Sequence, residues 1–326
     1  MITLKADESS ALLVREHGKI YALFYRNGKS ILISESGEEI TVRRSIIDSY
    51  PYLIAKLDSE GAKVVVKRSI GYDVAEVNGN KIYGRTLFDV KWTGEVLPFY
   101  DMNSRNVIDL VTGKTIVNDL GNVLPVRSNR CGGITKLRIF VVTPKGTQLL
   151  EIDERGNVKV IARTPIRVEG VTPSGTAYKC FESECYYIDC NGLKMRIRNA
   201  FRIVGNALLA KDHVVYELLR SGSGNNEVNR MLAIDSNGYP KTPSQPLRDV
   251  TLIDSRGYEI LVSGYRVSNK TELWCVAVFK LEAQEIVPKY ALCDNYPLIL
   301  DDEILFNDKG DLVALRGKSL EKIEVT

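Results

Sequence analysis

Apolar and polar residues alternate in short runs along almost the whole chain, with a period of two. Ile20–Tyr25 and Ile31–Ser34 are β-rich runs joined by Arg26-Asn27-Gly28-Lys29. Asn-Gly tolerates the positive φ that both central positions of a tight type I′ turn require, so this segment predicts a hairpin. Glu35-Ser36-Gly37 then leads into Glu39–Val42, which makes a three-strand meander. Asp73–Val77, Asn78-Gly79 and Lys81–Gly84 repeat the device. No window of about 12 residues keeps an apolar i, i+3, i+4, i+7 stripe with caps, which argues against a parallel βαβ sheet.

A longer repeat is superimposed on the strands. An apolar run ends in Ile-Asp and a glycine follows three or four residues later: Ile108-Asp109…Gly113, Ile152-Asp153…Gly156, Ile188-Asp189…Gly192, Ile234-Asp235…Gly238 and Ile253-Asp254…Gly257. Phe306-Asn307…Gly310 is a variant. The Asp or Asn side chain accepts a backbone N–H inside the turn, and glycine supplies the left-handed residue that closes it. The turn glycines 37, 79, 113, 156, 192 and 238 are spaced by 42, 34, 43, 36 and 46 residues. That period belongs to propeller blades or solenoids. A β-solenoid needs shorter, more uniform coils, and so many strands in series exceed one sandwich.

On the segment Ile108-Asp109-Leu110-Val111-Thr112-Gly113-Lys114 and the four Ile-Asp-x-x-Gly hairpins, the chain resembles the β-propeller superfamily. These turns look like the outer-hairpin turns of quinoprotein-type propellers. The tryptophan docking motifs of that family are missing, since only Trp92 and Trp274 are present. The Gly-His and Trp-Asp signatures of the tryptophan–aspartate repeats and the double glycines of kelch repeats are missing too. The resemblance therefore implies an all-β architecture and no particular activity. Blade units parse at 11–43, 52–84, 88–118, 122–163, 165–198, 201–242, 248–288 and 297–325, which predicts eight antiparallel blades, with seven as the alternative count. Ile2–Lys5 is expected to complete the last blade and close the ring with the C-terminal strand. No linker divides the chain, so residues 1–326 are expected to form one domain, with Ser221–Asn226 a loop of the sixth unit.

Composition adds little to this. Forty-four basic residues against 41 acidic ones give a formal net charge of +3, which favours solubility and does not by itself indicate nucleic acid. The segment MITLKADESS lacks a basic region followed by an apolar run, and no stretch approaches 18 consecutive apolar residues. The expected location is cytoplasmic, with no membrane association. Cys131, Cys180, Cys185, Cys190, Cys275 and Cys293 contain no C-x-x-C pair, so reduced, packed thiols are the default. The exception is Cys180 and Cys185, which flank a turn at Phe181–Glu184 and can face each other across a hairpin as a disulfide. Three glutamines and four methionines fit a thermophile, and 19 asparagines oppose it.

Catalytic signatures are absent, and no catalytic, metal or cofactor residue is assigned. His17 and His213 lie outside any triad or metal motif and read as turn or surface histidines. Gly28-Lys29-Ser30, Gly113-Lys114-Thr115 and Gly317-Lys318-Ser319 lack the upstream glycine of a phosphate loop. Acidic residues around Asp301-Asp302-Glu303 and the Ile-Asp aspartates read as turn chemistry. Two groups do suggest binding. Lys194, Arg196 and Arg198 alternate with Leu193, Met195 and Ile197, so a strand would place three cations on one face, with Arg202 beyond. Tyr50, Tyr52, Tyr186 and Tyr187 are candidate protein contacts, because tyrosine is enriched at interface hot spots.

Three functions follow from this. The leading one is a non-enzymatic scaffold that presents loops of one propeller face to a protein partner. The first alternative is a nucleic-acid or ribonucleoprotein-associated module that uses the basic strand face. The second is an enzyme with a carboxylate or metal site in a central channel, assembled from several blades and so invisible as a linear motif.

Overall fold

The computed structural model describes residues 2–3, 11–16, 19–26, 29–42, 44–49, 51–57, 63–77, 79–128, 130–131, 133–198, 205–218, 230–244, 247–268, 271–283, 285–295, 303–316 and 319–323. His17, Tyr50, Arg202 and the Ser221–Asn226 loop lie outside them. Among the described residues there is no α-helix. The chain is an all-β array of antiparallel propeller blades that divides into two compact units, residues 4–168 and residues 1–3 with 169–326. Strand β1 (Ile2–Thr3) belongs to the second unit.

In the unit of residues 4–168, β2 (Ala11–Glu16), β3 (Lys19–Arg26), β4 (Lys29–Ser34) and β5 (Glu39–Thr41) form one four-stranded blade. Next come β6 (Arg44–Ser49), β7 (Tyr52–Leu57), β8 (Lys63–Arg68), β9 (Asp73–Val77), β10 (Asn80–Thr86), β11 (Pro98–Asp101), β12 (Asn106–Asp109) and β13 (Thr115–Val117). These eight form a single sheet. A second blade is β14 (Asn122–Pro125), β15 (Lys136–Thr143), β16 (Gly146–Asp153) and β17 (Val158–Thr164). The core of this unit joins the eight-stranded sheet to the second blade through Trp92, Leu97, Phe99, Val107, Val123 and Ile139, each at most 1% exposed.

The second unit holds β18 (Gly170–Val171), β19 (Ala177–Cys180), β20 (Glu184–Ile188) and β21 (Lys194–Arg198), then β22 (Ala207–Ala210), β23 (His213–Leu218), β24 (Arg230–Asp235) and β25 (Pro240–Lys241). β26 (Arg248–Arg256), β27 (Glu259–Ser268), β28 (Thr271–Leu281) and β29 (Ile286–Asp294) make the third blade. β30 (Ile304–Phe306), β31 (Leu312–Arg316) and β32 (Ser319–Ile323) make the fourth. β1 is its outer strand, with Ile2 opposite Leu320 and Thr3 opposite Ser319.

The repeat read from the sequence is a local hydrogen-bonding device. Asp153 Oδ1 accepts the N–H groups of Arg155 (2.9 Å) and Asn157 (2.8 Å), while Gly156 sits at φ 86°. Asp189 does the same for Asn191 and Leu193, Asp235 for Asn237 and Tyr239, and Asn307 for Lys309 and Asp311. Asp254 departs from the pattern. It is fully buried, and its Oδ2 accepts the N–H of Phe306 at 3.1 Å, which ties β26 to β30. Asp254 lies within β26, paired with Leu261, so here the aspartate serves the packing of adjacent blades and the expected turn forms two residues later, between Arg256 and Glu259.

The blade count differs from the sequence parse. Among the described residues there are six four-stranded blades, not seven or eight, and the units parsed at 52–84 and 88–118 are one continuous sheet. The parse broke the chain after Gly84, but β10 runs on to Thr86 and β11 returns beside it, with Gly84 opposite Asp101, Arg85 opposite Tyr100 and Thr86 opposite Phe99. Gly84 permits this close pairing. A Cβ at that position would lie 1.8 Å from the Tyr100 carbonyl oxygen, so any larger residue would push the two ladders apart.

Candidate functional site

Two groups of residues that lie apart in sequence meet on the β18–β21 blade. On β21 Met195 and Ile197 are buried, and Lys194, Arg196 and Arg198 are exposed, as strand alternation requires. On β20 Tyr187 turns inward and Tyr186 outward. Lys179, Tyr186 and Arg196 are register partners across β19, β20 and β21, so an aromatic ring stands between two cations in one row. The hairpin tip adds Phe181, which is 51% exposed and packs edge-on against Tyr186 with ring centroids 5.9 Å apart.

The charges in this row are largely paired. Arg196 bonds Glu184, with Nε to Oε2 at 2.7 Å, and its guanidinium lies 5.4 Å from the Tyr186 ring centroid. The Tyr186 hydroxyl donates to Glu184 Oε1 at 2.7 Å. That hydrogen bond, followed by the Arg196 guanidinium, holds the Glu184 carboxyl below its ordinary range. The same bond raises Tyr186. Lys179 pairs with Glu169 at 2.7 Å and stands 5.7 Å from the Phe181 centroid. The basic stripe is therefore a mixed aromatic and charged surface, in which Lys194 and Arg198 carry the surplus positive charge.

Beneath this row the blade is cross-linked. Cys180 and Cys185 are register partners and form a disulfide on the core side. Cys275 and Cys293 form a second one between β28 and β29. No described cysteine is free, which replaces the reading of reduced, packed thiols. Opposed cysteines on paired strands already lie within bonding reach, and a sequence spacing of 18 conceals that for Cys275 and Cys293. Tyr187 is buried, and its oxygen accepts a hydrogen bond from the Tyr216 hydroxyl at 3.0 Å. Burial pushes the Tyr187 phenol up to about 12 and raises Tyr216 as well. Tyr187 is thus a core residue and is not available as a surface contact.

The remaining candidate, Tyr52, lies on a different sheet. It is 40% exposed on β7, opposite Lys67. His213 is buried rather than superficial: its Nδ1 lies 2.6 Å from Asp212 Oδ1 and its Nε2 lies 2.8 Å from Lys241 Nζ. Lys241 also donates to the Glu282 carbonyl at 2.9 Å. An ammonium has no acceptor, so Nε2 accepts and Nδ1 carries the proton toward Asp212. Among the described residues no group of three or more His, Cys, Asp or Glu is placed to hold a metal ion. Lys179, Phe181, Glu169 and Glu184 were not anticipated, because their role depends on cross-strand pairing.

No family model matches the chain, and no curated protein matches it. Among solved structures it is similar to TolB from Acinetobacter baumannii, at 13% identity over 97% of this chain and 76% of that chain, with a TM-score of 0.34. It is similar to BBS1N, solved in complex with ARL6DN, at 13% identity over 99% and 96% of the two chains, with a TM-score of 0.35. It is also similar to a post-proline cleaving enzyme from Rickettsia typhi, at 8% identity over 95% and 58%, with a TM-score of 0.37.

Proposed function

We propose that the chain is a non-enzymatic, single-domain β-propeller scaffold, with the ring closed by β1 on β32, that captures a protein partner at the β19–β20 hairpin tip. The observation that carries this reading is the row of Phe181, Tyr186, Lys179 and Arg196. Aromatic and arginine side chains held in a fixed arrangement are the residue types that dominate interface energetics. The row is held by its ion pairs above and by a disulfide below, so little side-chain or loop freedom remains to be lost on binding. The two rings, with the surplus charge of Lys194 and Arg198 beside them, favour a partner segment with an apolar residue next to an acidic one. A cytoplasmic location is compatible with cross-linked cysteines in the cell of a thermophile, where intracellular disulfides persist.

The test is a pull-down from native lysate with the tagged full-length chain, nuclease-treated, comparing wild type with Phe181→Ala and Arg196→Ala. The expected result is a defined protein retained by wild type and lost from both variants, whose circular dichroism is unchanged. Equal capture by wild type and both variants would sink the proposal.

A further inference from the structure

The eight-stranded sheet buries one face and leaves the other open across β7–β10. Leu53, Ala55, Val64, Val66 and Ala75 point into the core. On the other face Tyr52 and Tyr83 are 40% and 45% exposed. Tyr72, 44% exposed, packs against Tyr83 with centroids 6.0 Å apart and the rings tilted by 50°. The cations share this face. Lys81, Tyr83 and Arg85 alternate along β10, and Lys67 on β8 stands directly opposite Tyr52. Their spacing follows from strand geometry. Successive members of the β10 row are about 6.8 Å apart, and Tyr52 lies three strands, about 14 Å, from Tyr83.

The charge here is arranged differently from that of the Lys179–Tyr186–Arg196 row, whose cations are paired. Among the described residues neither Lys67 nor Lys81 makes an ion pair. Arg85 is half-buried at the end of this row and donates to the Val123 carbonyl, a neutral acceptor, at 3.3 Å. The acid on this row is Glu76, opposite Lys81.

We infer that this open face binds single-stranded nucleic acid, with bases stacked on Tyr52, Tyr83 and Tyr72 and phosphates met by Lys67, Lys81 and Arg85. Single strands offer what the face can use: flat rings for the tyrosines and a regular anionic backbone for cations interleaved among them. A duplex would present only its backbone and leave the tyrosines unused. A bilayer is the weaker occupant, since Ile70 at the β8–β9 turn is a lone fully exposed aliphatic, and stable membrane anchoring needs far more buried hydrocarbon. The inference is independent of the hairpin-tip partner, because it uses another sheet and other residues.

The test is fluorescence anisotropy of the full-length chain with a labelled mixed-sequence 15-mer, as RNA and as DNA. With three phosphate contacts, raising salt from 50 to 200 mM should weaken binding about 20-fold. Tyr83→Ala and Tyr52→Ala should each weaken it about 10-fold, while Tyr83→Phe, which keeps the ring, should bind like wild type. Lys67→Ala or Lys81→Ala should flatten the salt dependence by about one contact. Lys194→Ala with Arg198→Ala should change nothing. The inference is overturned by absence of binding at 50 mM salt, by loss through the Lys194 and Arg198 changes instead, or by binding to phosphatidylserine vesicles without binding to the oligonucleotide.

Discussion

The β18–β21 blade and the eight-stranded sheet handle an exposed sheet face in opposite ways. The blade has short strands, so it gains little from ladder length. On its outer face Arg196 and Lys179 are paired with Glu184 and Glu169 while Lys194 and Arg198 stay exposed, and its inner face is stapled by Cys180–Cys185. The larger sheet has no disulfide and depends on packing around Trp92, Leu97 and Phe99. Its open face keeps cations that make no ion pair among the described residues, and three half-exposed tyrosines. An aromatic row whose cations are held in ion pairs offers a shaped contact. A face whose charges are left over offers an attraction, and that difference separates the two binding proposals.

The comparison breaks most easily in the packed sheet. Phe99→Ala should cost about 3–5 kcal/mol in urea unfolding, because Phe99 is fully buried and the cavity cannot collapse around a paired strand. A loss below about 1 kcal/mol would show that the sheet does not depend on this packing. The staple should matter less. Replacing both Cys180 and Cys185 by alanine should cost about 2 kcal/mol, from a closed loop with a separation of only five residues. Amide exchange should then quicken on β19 and β20 and stay unchanged on β7–β10. Loss of the Cys275–Cys293 bridge, with a separation of 18, should cost about 3 kcal/mol.

Alkaline pH sharpens the contrast further. Tyr187 titrates near 12 in the folded chain, above the value of about 10 expected when unfolded. A folded pKa that is raised means its contribution is complete below about pH 10 and is lost as pH rises through about 12. Stability should therefore fall over that window, and a variant carrying both Tyr187→Phe and Tyr216→Phe should lose the slope. An unchanged slope in that variant would assign the alkaline loss elsewhere. The smallest effect is expected at Arg196→Ala, whose ion pair is solvent-exposed. Exposed pairs contribute little to folding, so the unfolding midpoint should stay in place while partner capture falls.

What was legible in the sequence was whatever a few neighbouring residues decide. The Asp-x-x-Gly turns, the alternation that exposes Lys194, Arg196 and Arg198, and the hairpin that opposes Cys180 to Cys185 all follow from local hydrogen bonding and a period of two. The row Lys81-x-Tyr83-x-Arg85 was equally readable as a pattern, but nothing local says that its face is open.

The rest depended on contacts between distant residues. Tertiary pairing fused β10 to β11 through Gly84, buried His213 against Lys241, turned Tyr187 into the core and brought Glu184 onto Arg196. In each case the deciding partner comes from a different strand, at a register that the sequence alone does not specify. The sequence by itself determined the strands and their turns, because backbone hydrogen bonding and φ preference act over four or five residues. Which faces are covered, which charges are cancelled and which stay available to a ligand was decided only by how the strands assemble into sheets.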